Sequence, residues 1–519
     1  MNHRQSLQAV IFFLAASFCL RAEAPNVDAA FARFWNARNP ADAAKAADDI
    51  AKSGASFDEV YRRLRHGRPY SERVPTGVTS GRRLTRTGEF AYTLDVPVTY
   101  DPTRAYQVRV QLHGGVMRAE PTVRRSGGIG RLAGAEQIYV MPVGWNEAPW
   151  WSDAQIENLR AILDSVKRTY NVDENRVVLS GISDGATGAF YVAMSDTTPY
   201  AAFLPLNGSL LVLTNEGTGI RGNLFPQNLL NKPLFIVNGG RDPLYSTASV
   251  EPVLTHLANG GVSITYRPQP SAGHDTTWWP EVKDAFETFV REHPRVPLPD
   301  RLTWETSDAR TTGRAHWLVI NALGGPADGR PLPDLNDYRP PPQLDLGVRL
   351  TGTTVEQLRS GSGFDRSGLR KGDVIVTVGD VAVASAADFV GALQHYSLRA
   401  PLPMTVRRSG REVRLSGTFE PEEVRLPAAP LFEHSTKSGR VDLVRAGNTI
   451  DATVRGVSEL TLLVSPDQFD FALPLKVTTN GEVAFEGRLE KSVTTLLKWS
   501  AHDNDRAMLF GAELKIKVK

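Results

Sequence analysis

Apolar positions along residues 88–293 alternate between two periods. Short β-branched and aromatic runs read as strands: Phe90 to Val96, Tyr106 to Leu112, Ile138 to Pro142, Arg176 to Leu179, Ala201 to Asn207, Pro233 to Asn238 and Val262 to Tyr266. Amphipathic stretches stand between them. Asp153 to Tyr170 carries Ile156, Leu159, Ile162, Leu163 and Val166 on one helical stripe, and Val282 to Val290 reads as a closing helix. Strands alternating with helices predict an α/β domain whose mostly parallel sheet is covered on both faces.

The flanks follow other patterns. Residues 26–87 form an N-terminal segment whose first part is helical, with Phe31, Phe34 and Trp35 at helical spacing. A proline-rich connection follows residue 293, and a second linker rich in proline and glycine runs from Gly324 to Pro342. Residues 344–417 form a compact module, and residues 438–519 alternate as strands of a β-sandwich-like domain. Only two strand candidates, Leu302 to Glu305 and Ala315 to Ile320, precede the module. The expectation is one β-rich domain made of residues 302–320 plus 438–519, with the module inserted between its parts.

A chain of 519 residues exceeds one hydrophobic core, so several domains are expected. The net charge of +2 by itself points to neither nucleic acid nor an anionic membrane. The clusters Arg62, Arg63, Arg65, Arg68 and Arg82, Arg83, Arg86 lack interleaved aromatics and read as solvated surface, so no nucleic-acid partner is expected. Residues 1–22 read as a secretory signal peptide: His3 and Arg4, an apolar Leu7 to Leu20, then small residues at Ala22 and Ala24. Its apolar run is short for a membrane span, so no stable span is expected after cleavage. Cys19, the one cysteine, lies inside this segment. A mature chain without cysteine has no disulfide and no thiolate metal site, which suits a bacterial periplasm or exterior.

The candidate chemistry begins at Arg176-Val177-Val178-Leu179-Ser180-Gly181-Ile182-Ser183-Asp184-Gly185. A β-branched run enters Gly-x-Ser-x-Gly and leaves into small residues, the strand, sharp turn and helix that expose a serine hydroxyl. Ser183 is the candidate nucleophile. Asp242 follows the apolar Leu234 to Val237 and is the candidate orienting acid. His274, in the loop Ser271-Ala272-Gly273-His274-Asp275, is the candidate base. His256 competes, but it stands in a helical stretch with Leu254 and Leu257. His113-Gly114-Gly115 follows a strand, so Gly114 or Gly115 can present one oxyanion amide and Asp184 the other. Trp145, Trp150, Trp151, Trp278 and Trp279 lie in loops near these residues, where they form either an aromatic substrate wall or loop packing. No compact metal-ligand cluster is visible, and the chemistry calls for no metal or organic cofactor.

Together these residues resemble the α/β-hydrolase superfamily over residues 88–293. Within it the core is similar to secreted esterases related to feruloyl esterases and polyhydroxybutyrate depolymerases. The resemblance implies acyl transfer from an ester-bearing small molecule or polymer to water through a Ser183 acyl-enzyme. Gly368-Leu369-Arg370-Lys371-Gly372-Asp373-Val374-Ile375, followed by a hairpin, a helix and a last strand, resembles a PDZ domain. That likeness implies a groove for a peptide or protein segment, filled in cis or by a partner. It keeps a serine peptidase open as the alternative function, with a non-enzymatic peptide-binding scaffold as the other class.

Overall fold

The computed structural model describes residues 26–518 apart from 121–131, 133, 221–222, 325–333, 341–342, 394–395, 398, 419–421 and 425–426. The expected signal peptide and Cys19 lie outside the described residues. No helix among the described residues is long and apolar enough to cross a membrane.

Helices α1 (Val27–Trp35), α2 (Pro40–Lys52) and α3 (Phe57–His66) open the described chain. Asn26, Asn39 and Ser56 cap them by accepting hydrogen bonds from backbone N–H groups of the first turns. Their apolar faces bury Phe31, Phe34, Ile50, Val60 and Leu64 against Leu496, Leu497 and Ala501 near the C-terminus.

The next elements build one sheet. They are β1 (Gly77–Leu84), β2 (Glu89–Val96), β3 (Tyr106–Leu112), β4 (Ile138–Pro142), α4 (Asp153–Thr169), β5 (Val172–Ile182), α5 (Asp184–Ser195), β6 (Ala202–Leu206), β7 (Leu234–Ile236), α6 (Thr247–Asn259), β8 (Ile264–Tyr266) and α7 (Trp279–Glu292). The strand order is β1-β2-β4-β3-β5-β6-β7-β8. The β1–β2 and β2–β4 pairs are antiparallel; the rest of the sheet is parallel. This mixed α/β arrangement is consistent with that of α/β-hydrolases. One face packs on α4 and α6 residues such as Leu159, Ile162 and Val253, the other on α7 residues such as Phe286 and Phe289. Both faces are therefore dry, as the continuous apolar runs of β3, β4 and β6 require.

Residues 77–84 belong to the sheet rather than to the N-terminal helical segment that the sequence suggests for 26–87: they form β1, paired with β2 from Gly77↔Val96 to Leu84↔Glu89. This edge strand buries little, and its Thr79, Ser80, Arg82 and Arg83 leave no apolar alternation to recognise.

After α7 the chain forms a five-stranded and a four-stranded sheet. Arg301–Thr306 pairs with Gly439–Ala446, and Leu318–Leu323 pairs with Val457–Val464. Chain segments on either side of residues 334–430 thus share one core around Trp304, Trp317, Leu443, Leu462 and Phe510. A helix, Val493–Asp503, stands where the sequence suggested only strands. The intervening residues form a separate sheet with its own core around Phe364, Ile375, Phe389 and Val406. The chain enters and leaves this unit as a paired ribbon, Gln343–Asp345 against Glu422–Val424.

Candidate active site

β5 ends at Ile182 and α5 begins at Asp184, so Ser183 alone makes the turn between them. Its backbone lies at φ 56°, ψ −120°, a conformation that costs a non-glycine residue about 1–3 kcal/mol. Neighbouring bonds hold it there. Ser183 N–H donates to the Leu206 carbonyl (3.0 Å), and Ala186 and Thr187 N–H donate to the Ser183 carbonyl (2.8 and 3.1 Å). Close packing explains the flanking glycines. A Cβ at Gly181 would collide with the Gly185 carbonyl, and one at Gly185 with the Leu112 carbonyl at the end of β3.

The three residues singled out from sequence lie in one hydrogen-bonded line. Ser183 Oγ is 3.0 Å from His274 Nε2, and His274 Nδ1 is 2.7 Å from Asp242 Oδ2. Asp242 is buried beyond the end of β7. Its other oxygen, Oδ1, accepts from Leu244 N–H (2.8 Å) and Tyr245 N–H (3.0 Å), which fixes the carboxylate plane. The loops carrying acid and base are pressed together. Gly239 faces the Ala272 and Gly273 carbonyls so closely that no side chain fits. Asn238 Nδ2 ties this corner to the Gly208 and Tyr245 carbonyls, both at 3.1 Å. The Tyr245 ring centroid lies 5.7 Å from that of His274. His256 is elsewhere: it lies on α6, with Nε2 2.9 Å from the Leu335 carbonyl.

The segment after β3 passes beside the serine. A Cβ on Gly114 would fall 2.9 Å from Ser183 Cβ, so only glycine lets this backbone approach so closely. Gly115 follows at φ 71°. Neither glycine N–H donates a backbone hydrogen bond among the described residues. The Asp184 N–H, first in α5, has no intrahelical partner. Val116 N–H donates to Asp184 Oδ2 at 2.8 Å.

His113 was legible only as part of a glycine-rich turn, and its side chain proves to be structural support. Gly144 N–H donates to its Nε2 (3.1 Å), so the ring proton sits on Nδ1 and points to the Gly114 carbonyl (2.9 Å). Burial lowers the affinity of this imidazole for a second proton, so both bonds are those of a neutral ring.

The tryptophans resolve toward packing. Trp150, Trp151, Trp278 and Trp279 are at most 8% exposed, and all belong to the two cores flanking the sheet. Trp150 Nε1 donates to the His113 carbonyl at 2.8 Å, which braces the loop beside Ser183 from behind. Four of the five therefore form no wall for a substrate. Trp150 and Trp151 turn inward from their loop, whereas Trp278 and Trp279, expected in a loop, cap and open α7; each indole buries a large apolar area. Trp145 is half-buried, with its ring centroid 5.3 Å from that of Phe90. Among the described residues no group of three or more His, Cys, Asp or Glu could hold a metal ion.

Among solved structures, the chain is similar to a thermostable esterase at 20% identity (TM-score 0.34), over 42% of this chain and 63% of that one. It thus spans just under two thirds of that esterase's length. It is also similar to esterase 2 of Thermogutta terrifontis at 14% identity (TM-score 0.33), over 42% of this chain and 94% of that one. A CE1 ferulic acid esterase from Anaeromyces mucronatus matches at 17% identity (TM-score 0.32), over 43% and 92% of the two chains. Residues 334–416 match the family model of the PDZ domain, and this separately folded part of the chain is a PDZ domain.

Proposed function

We propose that the protein is a serine hydrolase that cleaves a carboxylic ester through a covalent acyl-enzyme. The observation that carries this reading is the unbroken chain of hydrogen bonds from Asp242 through His274 to Ser183. Ser183 Oγ attacks the ester carbonyl while its proton passes to His274 Nε2. Asp242 accepts the Nδ1–H throughout, which selects the tautomer with a free Nε2 and stabilises the imidazolium. The oxyanion is held by the Asp184 N–H together with an amide of Gly114 or Gly115. His274 then protonates the departing alkoxide. A water molecule, deprotonated by the same nitrogen, releases the acid and restores the serine. This cycle uses protein groups throughout, with an ester-bearing small molecule or polymer as substrate.

An ester suits such a site well, because an alkoxide leaves with less help from a proton than an amine does. The PDZ domain favours a second reading, a peptidase that selects chain ends or extended segments by strand addition.

The test is hydrolysis of p-nitrophenyl acetate and butyrate by the purified protein and by Ser183→Ala, with a peptide library in parallel. Ester turnover that falls by about 10⁴-fold or more in Ser183→Ala supports the proposal. Serine-dependent peptide cleavage without ester turnover supports the peptidase. Equal turnover in both proteins overturns the assignment of Ser183.

A further inference from the structure

We infer that the Asp184 side chain is a positioning residue: it clamps the glycine segment that supplies one oxyanion amide to the nucleophile turn that supplies the other. The inference rests on the serine hydrolase reading and assigns Asp184 a second role beyond its backbone N–H.

The geometry is specific. Gly114 and Gly115 are consecutive glycines, the residue type that loses most conformational freedom when held in place. The segment is anchored on its near side by the His113 ring against Gly144 and by Trp150 Nε1 against the His113 carbonyl. On its far side the chain continues into Val116, which is fully buried. There, the Asp184 carboxylate accepts the Val116 N–H at 2.8 Å. This bond links two segments that are distant in sequence but adjacent at Ser183, where Gly114 stands too close for any side chain. A donor acts only when held close to its productive place, about 2.7–3.1 Å from the developing oxyanion, so an untethered Gly114–Gly115 segment is a poor donor.

A carboxylate beside a developing oxyanion is unfavourable on charge alone. Two features offset it: Asp184 spends one oxygen on the Val116 N–H, and it lies in the first turn of α5, where the helix favours negative charge. Hence the useful property of Asp184 is its acceptor atom. Asparagine keeps that acceptor without the charge; alanine keeps neither.

The readout is the second-order rate of labelling by a fluorophosphonate probe, which needs no knowledge of the natural substrate. Ser183 Oγ bonds to phosphorus, fluoride leaves from the P–F bond, and the serine proton passes to His274. The phosphoryl oxygen then occupies the oxyanion position. The full-length protein is compared with Asp184→Ala, Asp184→Asn and Ser183→Ala, and the thermal midpoint of each is recorded. Any p-nitrophenyl ester turnover is split into kcat and KM.

The expected result is labelling slowed about 10- to 100-fold in Asp184→Ala, less than the loss of an entire oxyanion donor. Asp184→Asn should stay within about threefold of the parent, kcat should fall with KM nearly unchanged, and the midpoints of the two Asp184 variants should match. Parent-like labelling of Asp184→Ala overturns the clamp, as does Asp184→Asn slowed equally with Asp184→Ala. If Asp184→Ala does not fold, Asp184→Asn decides alone: a rate loss beyond tenfold overturns the proposal. Labelling that persists in Ser183→Ala, or is absent from the parent, instead overturns the underlying hydrolase reading.

Discussion

At the scale of single residues, Asp242 shows how a buried group acquires a task. Both of its oxygens face donors: Oδ1 the N–H groups of Leu244 and Tyr245, Oδ2 the His274 ring. An amide in its place can satisfy the two backbone donors with its oxygen. Its NH₂ then faces His274 and drives the ring to the tautomer whose Nε2 carries a proton and cannot accept one from Ser183. Asp242→Asn should therefore reduce kcat by about 10⁴-fold on a p-nitrophenyl ester while leaving the far-ultraviolet spectrum unchanged. A variant with more than a tenth of the parent kcat would remove Asp242 from the mechanism. Ser183, Asp242 and His274 were recognisable from a motif and from chain order, because each follows a strand end. The bond from Asp184 to Val116 was not, because nothing in either residue's neighbourhood announces the other. The choice between wall and packing for the tryptophans stayed open for a related reason: loop position does not say whether an indole faces solvent or core.

Among the elements, the turn from β5 into α5 tolerates least. Gly185 abuts the Leu112 and His113 carbonyls at the end of β3, and these are backbone atoms that cannot step aside. Gly185→Ala should destabilise the domain by at least about 1–3 kcal/mol, the range typical of overpacking, read as a lowered urea midpoint. By contrast, Gly391 in the PDZ helix Ala386–Leu393 has open space around its Cβ position, and Gly391→Ala should stabilise that helix by about 1 kcal/mol. A Gly185→Ala midpoint equal to the parent's would mean that the strand and helix are not held as tightly as described. The long apolar runs of the sheet and the stripe of α4 were plain in the sequence, since both demand burial. β1 and the helix Val493–Asp503 were not. β1 is a polar edge strand held mainly by its pairing with β2. The helix opens on Val493-Thr494-Thr495, β-branched residues that suit a strand, and is set by its Ser492 cap and by burial of Leu496 and Leu497.

For the whole molecule, charged residues buried between the sheets decide how the parts respond to acid. Arg295 grips Asp505 with two nitrogens (2.8 and 3.0 Å), and Lys167 lies 3.5 Å from the same carboxylate. Burial alone would raise the Asp505 pKa; the two cations outweigh it and hold it at about 2. Nearby, His316 is buried with its Nδ1 2.9 Å from the Pro297 carbonyl. Burial, then the Lys232 and Arg295 cations, depresses its pKa well below the ordinary histidine value. The signs follow. The unfolded chain protonates His316 below about pH 6.5 and the folded chain does not, so stability falls with acid by about 1.4 kcal/mol per pH unit from this group. His113 acts in the same direction. Asp505 loses its contribution only below about pH 4, as acid reaches its unfolded pKa and then its folded one. Urea unfolding at pH 7.5, 6.5 and 5.5 should show declining stability, and His316→Asn, which accepts the backbone at φ 52°, should flatten the decline. Identical slopes in both proteins would contradict a neutral buried His316.

The division of labour between sequence and tertiary structure has a physical basis. Hydrophobic period, turn chemistry and the Gly-x-Ser-x-Gly segment depend on residues near one another in the chain. They determined the α/β core, the PDZ domain and the candidate nucleophile, acid and base. Contacts between distant segments decided the rest. The inward packing of Trp150, Trp151, Trp278 and Trp279, the carboxylate tether on the Gly114–Gly115 segment and the Arg295–Asp505 pair exist only after the sheets close. Their energies come from burial and from partners that linear sequence leaves far apart.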